Sequence, residues 1–382
     1  MGSPSYVSRT IDLPGLMKAK SHFLFGPRQT GKTSLIRATL KPDYSYNLLE
    51  SDIFLALTRE PQRLRQEISG LGKLAVIDEI QKIPGLLDEV QWLIEERRTR
   101  FLLTGSSARK LRRAGVNLLG GRLRSRTLHP FIMRELAARF DLLRALTYGT
   151  LPSIYISDDA GADLRAYVGD YLREEIAHEG LTRNLAAFSR FLEVSALCNG
   201  KILNFTQIAS DAQVARTTVH EYFAILKDTL IGFELPALGL ARKRKPLETS
   251  KFFFFDIGVA RQIQGRGPLN ERSPDFGEAF EAWMFHELCS YTDYEDAGEL
   301  RYWRTTSGFE VDFVLGDHLA IEVKSAARVT ERDTRGLLAI QEEKKFRHCI
   351  LVCLEPRPRH IGNIEVEPYG TFLEKLWDGA YN

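Results

Sequence analysis

The stretch Phe23-Leu-Phe-Gly-Pro-Arg-Gln-Thr-Gly-Lys-Thr33 decides the fold of this chain. Its first residues are apolar and predict a strand, which leads directly into a loop with the spacing Gly26-x-x-x-x-Gly31-Lys32-Thr33. Residues 34–40 then predict a helix. A strand, a glycine loop and a helix in this order distinguish a phosphate-binding loop from a plain glycine turn. We therefore predict that the chain binds a nucleoside triphosphate.

The residue types in this loop suit ATP with Mg²⁺. Gly26 and Gly31 allow the backbone to curl so that successive N–H groups point at phosphate oxygens, and the following helix directs its positive end to the same place. Lys32 is expected to reach the β- and γ-phosphates, and the Thr33 hydroxyl to bind Mg²⁺. The predicted nucleotide contacts are Gly26, Pro27, Arg28, Gln29, Thr30, Gly31, Lys32, Thr33 and Ser34.

Composition indicates an ordinary globular protein of two or three domains. The chain has 382 residues, 44% of them hydrophobic, and a formal net charge of +2. No apolar run approaches the roughly 20 residues that span a bilayer, and residues 1–21 lack the apolar centre of a signal peptide. Its 4 cysteines are too few and too scattered for a disulfide framework. We expect a cytoplasmic protein without membrane contact.

A second acidic motif and the strand after it are expected to complete the nucleotide site. The run Lys73-Leu-Ala-Val-Ile-Asp-Glu-Ile80 predicts a buried parallel strand that delivers Asp78 and Glu79 to the carboxyl edge of the sheet. Asp78 would bind Mg²⁺ and Glu79 would polarise the attacking water, although paired acids also serve as helix caps. At the end of the next predicted strand, Thr104 or Ser106 would contact the γ-phosphate or the water.

Positive charge is concentrated in residues 97–134, which contain no Asp or Glu. A solvated basic face is the common explanation for such a run, but the field that these cations create favours an anionic partner. The cations are Arg97, Arg98, Arg100, Arg109, Lys110, Arg112, Arg113, Arg122, Arg124, Arg126 and Arg134.

The middle of the chain predicts a helix-turn-helix followed by a hairpin. Residues 204–211 and 216–229 predict the two helices, and two strand-like runs flank the basic segment 241–246. In a DNA-binding protein the second helix would enter a groove and the basic tip would contact phosphate, whereas in a protein-packing module the tip is only a soluble hairpin end. The candidate DNA contacts are Arg216, Thr217, Arg242, Lys243, Arg244 and Lys245.

Two alternating strands near the C-terminus carry acidic residues. Residues 309–315 and 319–324 are joined by Gly316-Asp-His318, and a three-residue turn pairs apolar with apolar positions throughout. In that register Asp312 lies opposite Glu322, beside Lys324. An ion-pair network balanced by Lys324 is the alternative to a chemical site.

The motifs together resemble the AAA+ ATPases, specifically the bacterial and archaeal subgroup with a C-terminal DUF4143 region. Besides the two motifs above, Leu-Thr-Gly-Ser-Ser, Gly121-Arg122-Leu and Tyr148-Gly-Thr-Leu-Pro152 contribute to the resemblance. It implies an arginine that reaches into the nucleotide of a neighbouring subunit, which matches Arg122, with Arg124 and Arg126 as rivals. It thereby implies a homo-oligomer, a hexameric ring. Arg165 and Arg173 are candidate lid sensors.

The two C-terminal strands resemble the PD-(D/E)xK nuclease core. In that core the carboxylates of Glu281 (or Glu278), Asp312 and Glu322 would bind metal and Lys324 would position water.

The resemblance implies an α/β fold with four parts. We expect a P-loop AAA+ parallel-sheet ATPase core at 1–130, a helical lid at 131–183, a winged helix at 184–262 and a nuclease-like α/β domain at 270–382. The leading hypothesis is an ATP-driven ring motor on duplex or branched DNA, because the architecture is similar to that of Holliday-junction motors. An ATP-switched regulatory protein and an ATP-dependent endonuclease are the alternatives.

Overall fold

The computed structural model describes residues 6–107, 121–171, 184–240 and 242–381. The chain forms two compact units. The first comprises Met1–Phe131 with Asp228–Ile231, and the second comprises Ile132–Lys227 with Gly232–Asn382. None of the helices in these described ranges combines the length and the hydropathy needed to cross a membrane.

The first unit is built on a parallel sheet of five strands in the order β2-β3-β4-β1-β5. Its core is formed by the apolar faces of these strands and of the helices beside them. The parallel-sheet α/β core predicted from the sequence is therefore confirmed. The strands are β1 (Ser21–Phe25), β2 (Tyr44–Asn47), β3 (Leu74–Asp78), β4 (Arg100–Gly105) and β5 (Leu123–Thr127), and the helices are Leu13–Ala19, Lys32–Thr39, Ser51–Arg59, Arg63–Glu67 and Leu86–Arg97.

Short helices open the second unit, in the segment predicted to be a lid. A buried carboxylate, Asp256, fixes their position because it accepts hydrogen bonds from the backbone of Thr150, at 2.7 Å, and of Val259. Gly149 has φ 77°, and a Cβ there would overlap the Asp256 carboxylate. The segment is therefore held by the residues before helix Ile257–Ile263. Its helices are Met133–Leu136, Leu142–Tyr148, Pro152–Tyr155 and Ala160–Ala166, followed by a π turn at Tyr167–Tyr171.

Two helices and a small sheet follow in the helix-turn-helix region. Helix Phe205–Ala212 and helix Arg216–Asp228 are joined by a tight turn in which Gln213 has φ 54°. Helix Leu185–Leu197 precedes them, and Phe191 packs against Phe223 of the second helix. The antiparallel sheet has the order β6-β8-β7, with β6 (Lys201–Ile202), β7 (Gly232–Leu235) and β8 (Lys251–Phe254).

A mixed sheet of six strands forms the C-terminal part of the second unit, in the order β13-β14-β12-β11-β10-β9. The pairing of β10 with β11 places Phe313 opposite Ile321 and Leu315 opposite Leu319, so the predicted register is confirmed. Its strands are β9 (Leu300–Arg304), β10 (Glu310–Leu315), β11 (Leu319–Val323), β12 (His348–Cys353), β13 (Arg359–Ile361) and β14 (Ile364–Pro368), and its helices are Phe276–Glu295, Arg335–Glu343 and Tyr369–Trp377.

A buried carboxyl group lies within the long helix Phe276–Glu295. Glu287 is fully buried, and its Oε1 accepts a hydrogen bond of 2.7 Å from the backbone N–H of Met133. Its Oε2 has no hydrogen-bond partner in the described part of the chain. Burial raises the pKa of Glu287 to about 8, because the charged form is not solvated there. The side chain is therefore mainly protonated at neutral pH.

Glu287→Gln should remove a pH-dependent loss of stability. Between pH 4.5 and about 8 the folded state holds a proton that the unfolded state releases, so the free energy of unfolding of the wild type falls as the pH rises. Relative to Glu287→Gln, the loss should reach roughly 3 kcal/mol by pH 7. Urea unfolding at a series of pH values measures it. Glu374→Gln, which removes an exposed carboxylate, is the control. Parallel pH profiles for wild type and Glu287→Gln would contradict the prediction.

Candidate functional site

The glycine loop connects β1 to helix Lys32–Thr39 and is closely packed. Gly26 has φ 157°, and a Cβ there would lie 2.5 Å from the carbonyl oxygen of Leu128. Gly31, at φ 92°, begins the helix in a left-handed conformation. Arg28 and Gln29 form the exposed tip, Pro27 and Thr30 are buried, and Thr33 and Ser34 are exposed in the first turn.

Lys32 directs its ammonium back into the loop. The side chain is buried, and Nζ donates to the carbonyl oxygens of Gly26 at 2.6 Å and of Pro27 at 3.1 Å. The loop backbone thus surrounds a buried cation, the Lys32 ammonium. This donor set suits phosphate oxygens, so the loop residues fit a nucleoside triphosphate.

The Asp78 carboxylate, at the end of β3, contacts the first turn of helix Lys32–Thr39 and the neighbouring strand β4. Thr33, after β1, donates its hydroxyl to Asp78 Oδ2 at 3.2 Å. Thr104, in β4, donates to Asp78 Oδ1 and accepts a hydrogen bond of 3.3 Å from the backbone N–H of Glu79. A carboxylate and a hydroxyl in contact are the ligands that Mg²⁺ uses beside a phosphate loop. The residues predicted for the metal therefore lie together.

Glu79 is held in an unusual conformation. Its φ is 61°, in the left-handed region that non-glycine residues rarely adopt. Burial raises the pKa of the Glu79 carboxyl, and the neighbouring charge of Asp78 raises it further, while Lys32 acts in the opposite direction. A strained residue with a shifted pKa beside a phosphate loop is typical of a catalytic base.

Two residues that the sequence analysis did not single out support this group. Gln81 donates to the Glu79 carboxylate and, at 3.4 Å, to Ser106 Oγ. Arg9 donates to the carbonyl oxygens of Thr30 at 2.7 Å and His129 at 2.5 Å. The sequence could have identified Gln81 as a site residue, because it lies two residues after Glu79. No local motif identifies Arg9.

The arginines near β5 are only partly placed as predicted. Arg122 directly precedes β5, at the edge of the sheet, and pairs with Glu95 at 2.6 Å. The basic stretch is therefore neutralised there by an acid from outside it.

Arg97 donates to the carbonyl oxygens of Arg65 and Ile68 and is structural. Residues 109–113 and the candidate lid sensor Arg173 lie outside the described residues, and Arg165 is exposed on helix Ala160–Ala166.

The helix-turn-helix presents its predicted contact residues. Arg216 and Thr217 begin helix Arg216–Asp228 and are both exposed. On the same helix His220 stacks on Phe205, with ring centroids 4.1 Å apart. The first turn of this helix is thus accessible to a ligand.

The basic tip of the predicted hairpin is not a free tip, which corrects that expectation. Arg244 pairs with Glu342 at 3.0 Å and with Glu343 at 3.1 Å, and Lys243 pairs with Glu342 at 3.3 Å. The backbone at Lys245 accepts a hydrogen bond from Thr306. The segment therefore packs on the C-terminal domain, and of the four predicted cations only Arg242 and Lys245 have exposed side chains without an ion pair in the described part of the chain.

The C-terminal carboxylates do come together, but around a lysine. Lys251 Nζ, from β8, lies 2.9 Å from Glu281 Oε1, 2.8 Å from Glu310 Oε1 and 3.8 Å from Asp312 Oδ1. Lys324 pairs with Glu322 at 2.5 Å. We call Lys251, Glu281, Glu310 and Asp312 the Lys251 cluster.

A lysine ammonium lies between these carboxylates, where a metal ion would have to bind. With Lys251 in place, no three His, Cys, Asp or Glu side chains of the described ranges are grouped to hold a metal. Burial raises the pKa of Glu281 to about 7, and Asp312 adds to this, while Lys251 lowers it. Burial acts to lower the pKa of Lys251, but Glu281, Asp312 and Glu310 outweigh it and the pKa is raised. The arrangement is an ion-pair network, the alternative that the sequence left open, and the predicted metal role of Glu281, Asp312 and Glu322 is not supported.

Family models cover most of the chain. Residues 18–137 match an AAA domain, residues 139–270 match a domain of unknown function, DUF8612, and residues 276–372 match another, DUF4143. The DUF8612 match spans most of the segment predicted as a lid, 131–183, and all of the one predicted as a winged helix, 184–262.

Two bacterial relatives are described as uncharacterized proteins. The chain is 27% identical over 313 residues to an uncharacterized protein of Mycobacterium tuberculosis, covering 78% of this chain and 68% of the relative. It is 23% identical over 291 residues to an uncharacterized protein of Haemophilus influenzae, covering 71% and 70%. Among solved structures, the Aeropyrum pernix Orc1 protein in complex with DNA covers 69% of this chain and 94% of its own at 15% identity, with a TM-score of 0.30. A score this low supports no conclusion.

The backbone conformation at residue 79 predicts an order of stability. Glu79→Gly and Glu79→Ala both remove the carboxylate, but only glycine adopts φ 61° without strain. Glu79→Gly should therefore be more stable than Glu79→Ala by about 1 kcal/mol in urea unfolding without nucleotide. At Glu96, an exposed position inside helix Leu86–Arg97, the same pair should show the reverse order, because alanine is favoured over glycine within a helix. A more stable Glu79→Ala would contradict the left-handed conformation.

Proposed function

Since this chain belongs to the AAA+ ATPases and carries a C-terminal DUF4143 domain, we propose that it hydrolyses ATP with Mg²⁺ at the glycine loop and uses the energy to act on DNA. The observation that carries the proposal is the Asp78 carboxylate, which accepts hydrogen bonds from Thr33 and Thr104 beside Lys32 and Glu79. These residues supply, within one unit, the groups that would bind the phosphates, hold Mg²⁺ and orient the attacking water.

Each residue has a separate role in this proposal. The loop N–H groups and Lys32 bind the phosphates, and Thr33 with Asp78 holds Mg²⁺, which neutralises phosphate charge when it is bound. Glu79 orients and polarises the attacking water, and its raised pKa brings its basicity nearer to the working pH. Thr104 forms hydrogen bonds with Asp78 and with the backbone of Glu79. These contacts favour Thr104 over Ser106 as the polar residue, at the end of β4, that contacts the γ-phosphate.

A ring assembly is part of the proposal. β5 is an edge strand and Arg122 stands at its start, so the residue is placed at a rim of the sheet. An arginine donated to a neighbouring nucleotide would stabilise the charge of the transition state. Its pairing with Glu95, between side chains that are each 43% exposed, is weak enough to be exchanged on assembly.

Replacing Lys32 and Glu79 should separate binding from hydrolysis. Lys32→Ala should weaken ATP binding roughly 10- to 100-fold, because a charge-assisted contact is lost. Glu79→Gln should bind ATP but turn over about 10²- to 10⁴-fold more slowly, and should elute with ATP as a stable oligomer. Nucleotide titration, phosphate release and light scattering after gel filtration measure these effects. Lys41→Ala, at an exposed lysine just after the same helix, is the control. Wild-type turnover by Glu79→Gln would contradict the assigned role.

The DNA part of the proposal is supported by the exposed first turn of helix Arg216–Asp228. Backbone N–H groups at a helix start together with Arg216 and Thr217 suit contact with phosphate. Arg242 and Lys245 would extend the positive surface. The ion pairs of Lys243 and Arg244 with Glu342 and Glu343 reduce that surface, and they favour the second candidate function, a nucleotide-operated switch that binds protein.

Arg216→Ala should weaken duplex DNA binding several-fold and reduce the slope of log K against log salt by about one, because one phosphate contact is lost. It should also reduce the stimulation of ATP hydrolysis by DNA. Lys227→Ala, a cation at the other end of the same helix that pairs with Glu234, is the matched control. Fluorescence anisotropy at several salt concentrations and phosphate release with duplex and branched DNA measure both effects. A wild-type rate that no DNA changes would exclude the motor and leave the switch.

A further inference from the structure

The Lys251 cluster has the composition of a carboxylate metal site but contains its own cation. Only 4% of the Lys251 side chain is exposed, and its ammonium contacts carboxylates from two elements, helix Phe276–Glu295 and β10. It also lies 5.4 Å from the centre of the Tyr302 ring. Three carboxylates and an aromatic face thus surround one positive charge.

Two cations balance the acidic group from its other sides. Arg304 pairs with Glu310 at 3.3 Å, and Lys324 pairs with Glu322 at 2.5 Å. The second oxygen of Asp312 accepts a hydrogen bond of 2.8 Å from the backbone N–H of Val323. Three cations already offset most of the charge of these four carboxylates, and one oxygen of Asp312 already accepts a hydrogen bond. A divalent cation would therefore have to displace Lys251.

Access does not prevent metal binding. A cavity of about 230 Å³ borders the cluster and is lined by Lys251, Glu281 and Glu310 together with Lys201 and Arg304. A hydrated ion could reach these carboxylates through it. The Lys251 ammonium, and not a lack of access, therefore keeps a metal ion away from these carboxylates.

Lys251 comes from a different part of the chain than its partners. It begins β8, within the DUF8612 match, whereas Glu281, Glu310 and Asp312 belong to the DUF4143 match. The segment that leads to Lys251, between β7 and β8, runs along β9, where the backbone N–H of Leu238 donates to Tyr302 and that of Leu247 donates to Arg304. The ammonium is thus fixed by a backbone that is itself hydrogen-bonded to the C-terminal sheet.

We propose that the Lys251 ammonium replaces the divalent cation of a nuclease-like carboxylate site, so that this cluster fastens the DUF8612 region to the C-terminal sheet and binds no metal. The C-terminal domain is then a structural and binding module, not a metal-dependent nuclease. A buried ion pair that loses one partner leaves an uncompensated charge, so removal of Lys251 should both destabilise this junction and create a vacancy for a metal ion.

The test is Mn²⁺ binding by the full chain without nucleotide, in an Asp78→Ala background that removes the ligand beside the glycine loop. With Lys251 intact, the Asp78→Ala protein should bind no Mn²⁺ at the Lys251 cluster. Adding Asp312→Asn should therefore leave its Mn²⁺ binding unchanged, as measured by electron paramagnetic resonance of free Mn²⁺. Adding Lys251→Met should lower the melting temperature and create one Mn²⁺ site, and Mn²⁺ should then raise the melting temperature again. Lys201→Met, which lines the same cavity, should do neither.

Two outcomes overturn the proposal. One is an Mn²⁺ site in the protein with Lys251 intact that Asp312→Asn removes. The other is a Lys251→Met protein that is as stable as its parent and binds no Mn²⁺. If Lys251→Met fails to fold, the fastening role is supported, and the titration of the protein with Lys251 intact decides the metal question. None of these results depends on whether the chain hydrolyses ATP or contacts DNA.

Discussion

The candidate site of the first unit depends on one carboxylate, Asp78, at the end of β3. Its two oxygens accept hydrogen bonds from Thr33, in the helix after the glycine loop, and from Thr104, near the end of β4. Because all the strands are parallel, with β4 between β1 and β3, their carboxyl ends meet at one edge of the sheet. The buried ammonium of Lys32 is close enough to act electrostatically on Glu79. A strand order that did not place β4 between β1 and β3 would separate these groups.

Features encoded within short stretches could be predicted from the sequence. The glycine loop, the acidic strand end and the order of strand and helix around them depend on local spacing. The register of β10 and β11 could also be predicted, because only one turn length pairs Phe313 with Ile321 and Leu315 with Leu319. In each case a few neighbouring residues determine the geometry, so no knowledge of distant packing was needed.

Features that depend on distant partners could not be predicted. The run that contains Lys243 and Arg244 looks like a solvated tip, but Glu342 and Glu343 lie about a hundred residues later. Lys251 stands before four phenylalanines and looks like the polar end of a buried strand, but its carboxylate partners come from a helix and a strand of the next domain. Charge patterns along the chain therefore mark where cations are, whereas the fold decides which of them remain available.

The contacts of Arg9 extend the functional architecture beyond the region that the AAA-domain match covers. That match begins at residue 18, yet Arg9 lies 5.0 Å from the centre of the Phe131 ring and binds the carbonyl oxygens of Thr30, His129 and Pro130. A residue before the matched domain thus supports the glycine loop through these contacts. A protein trimmed to the domain limits would retain every side chain that we propose binds nucleotide, but it would lose the Arg9 contacts that connect the loop to the segment after β5.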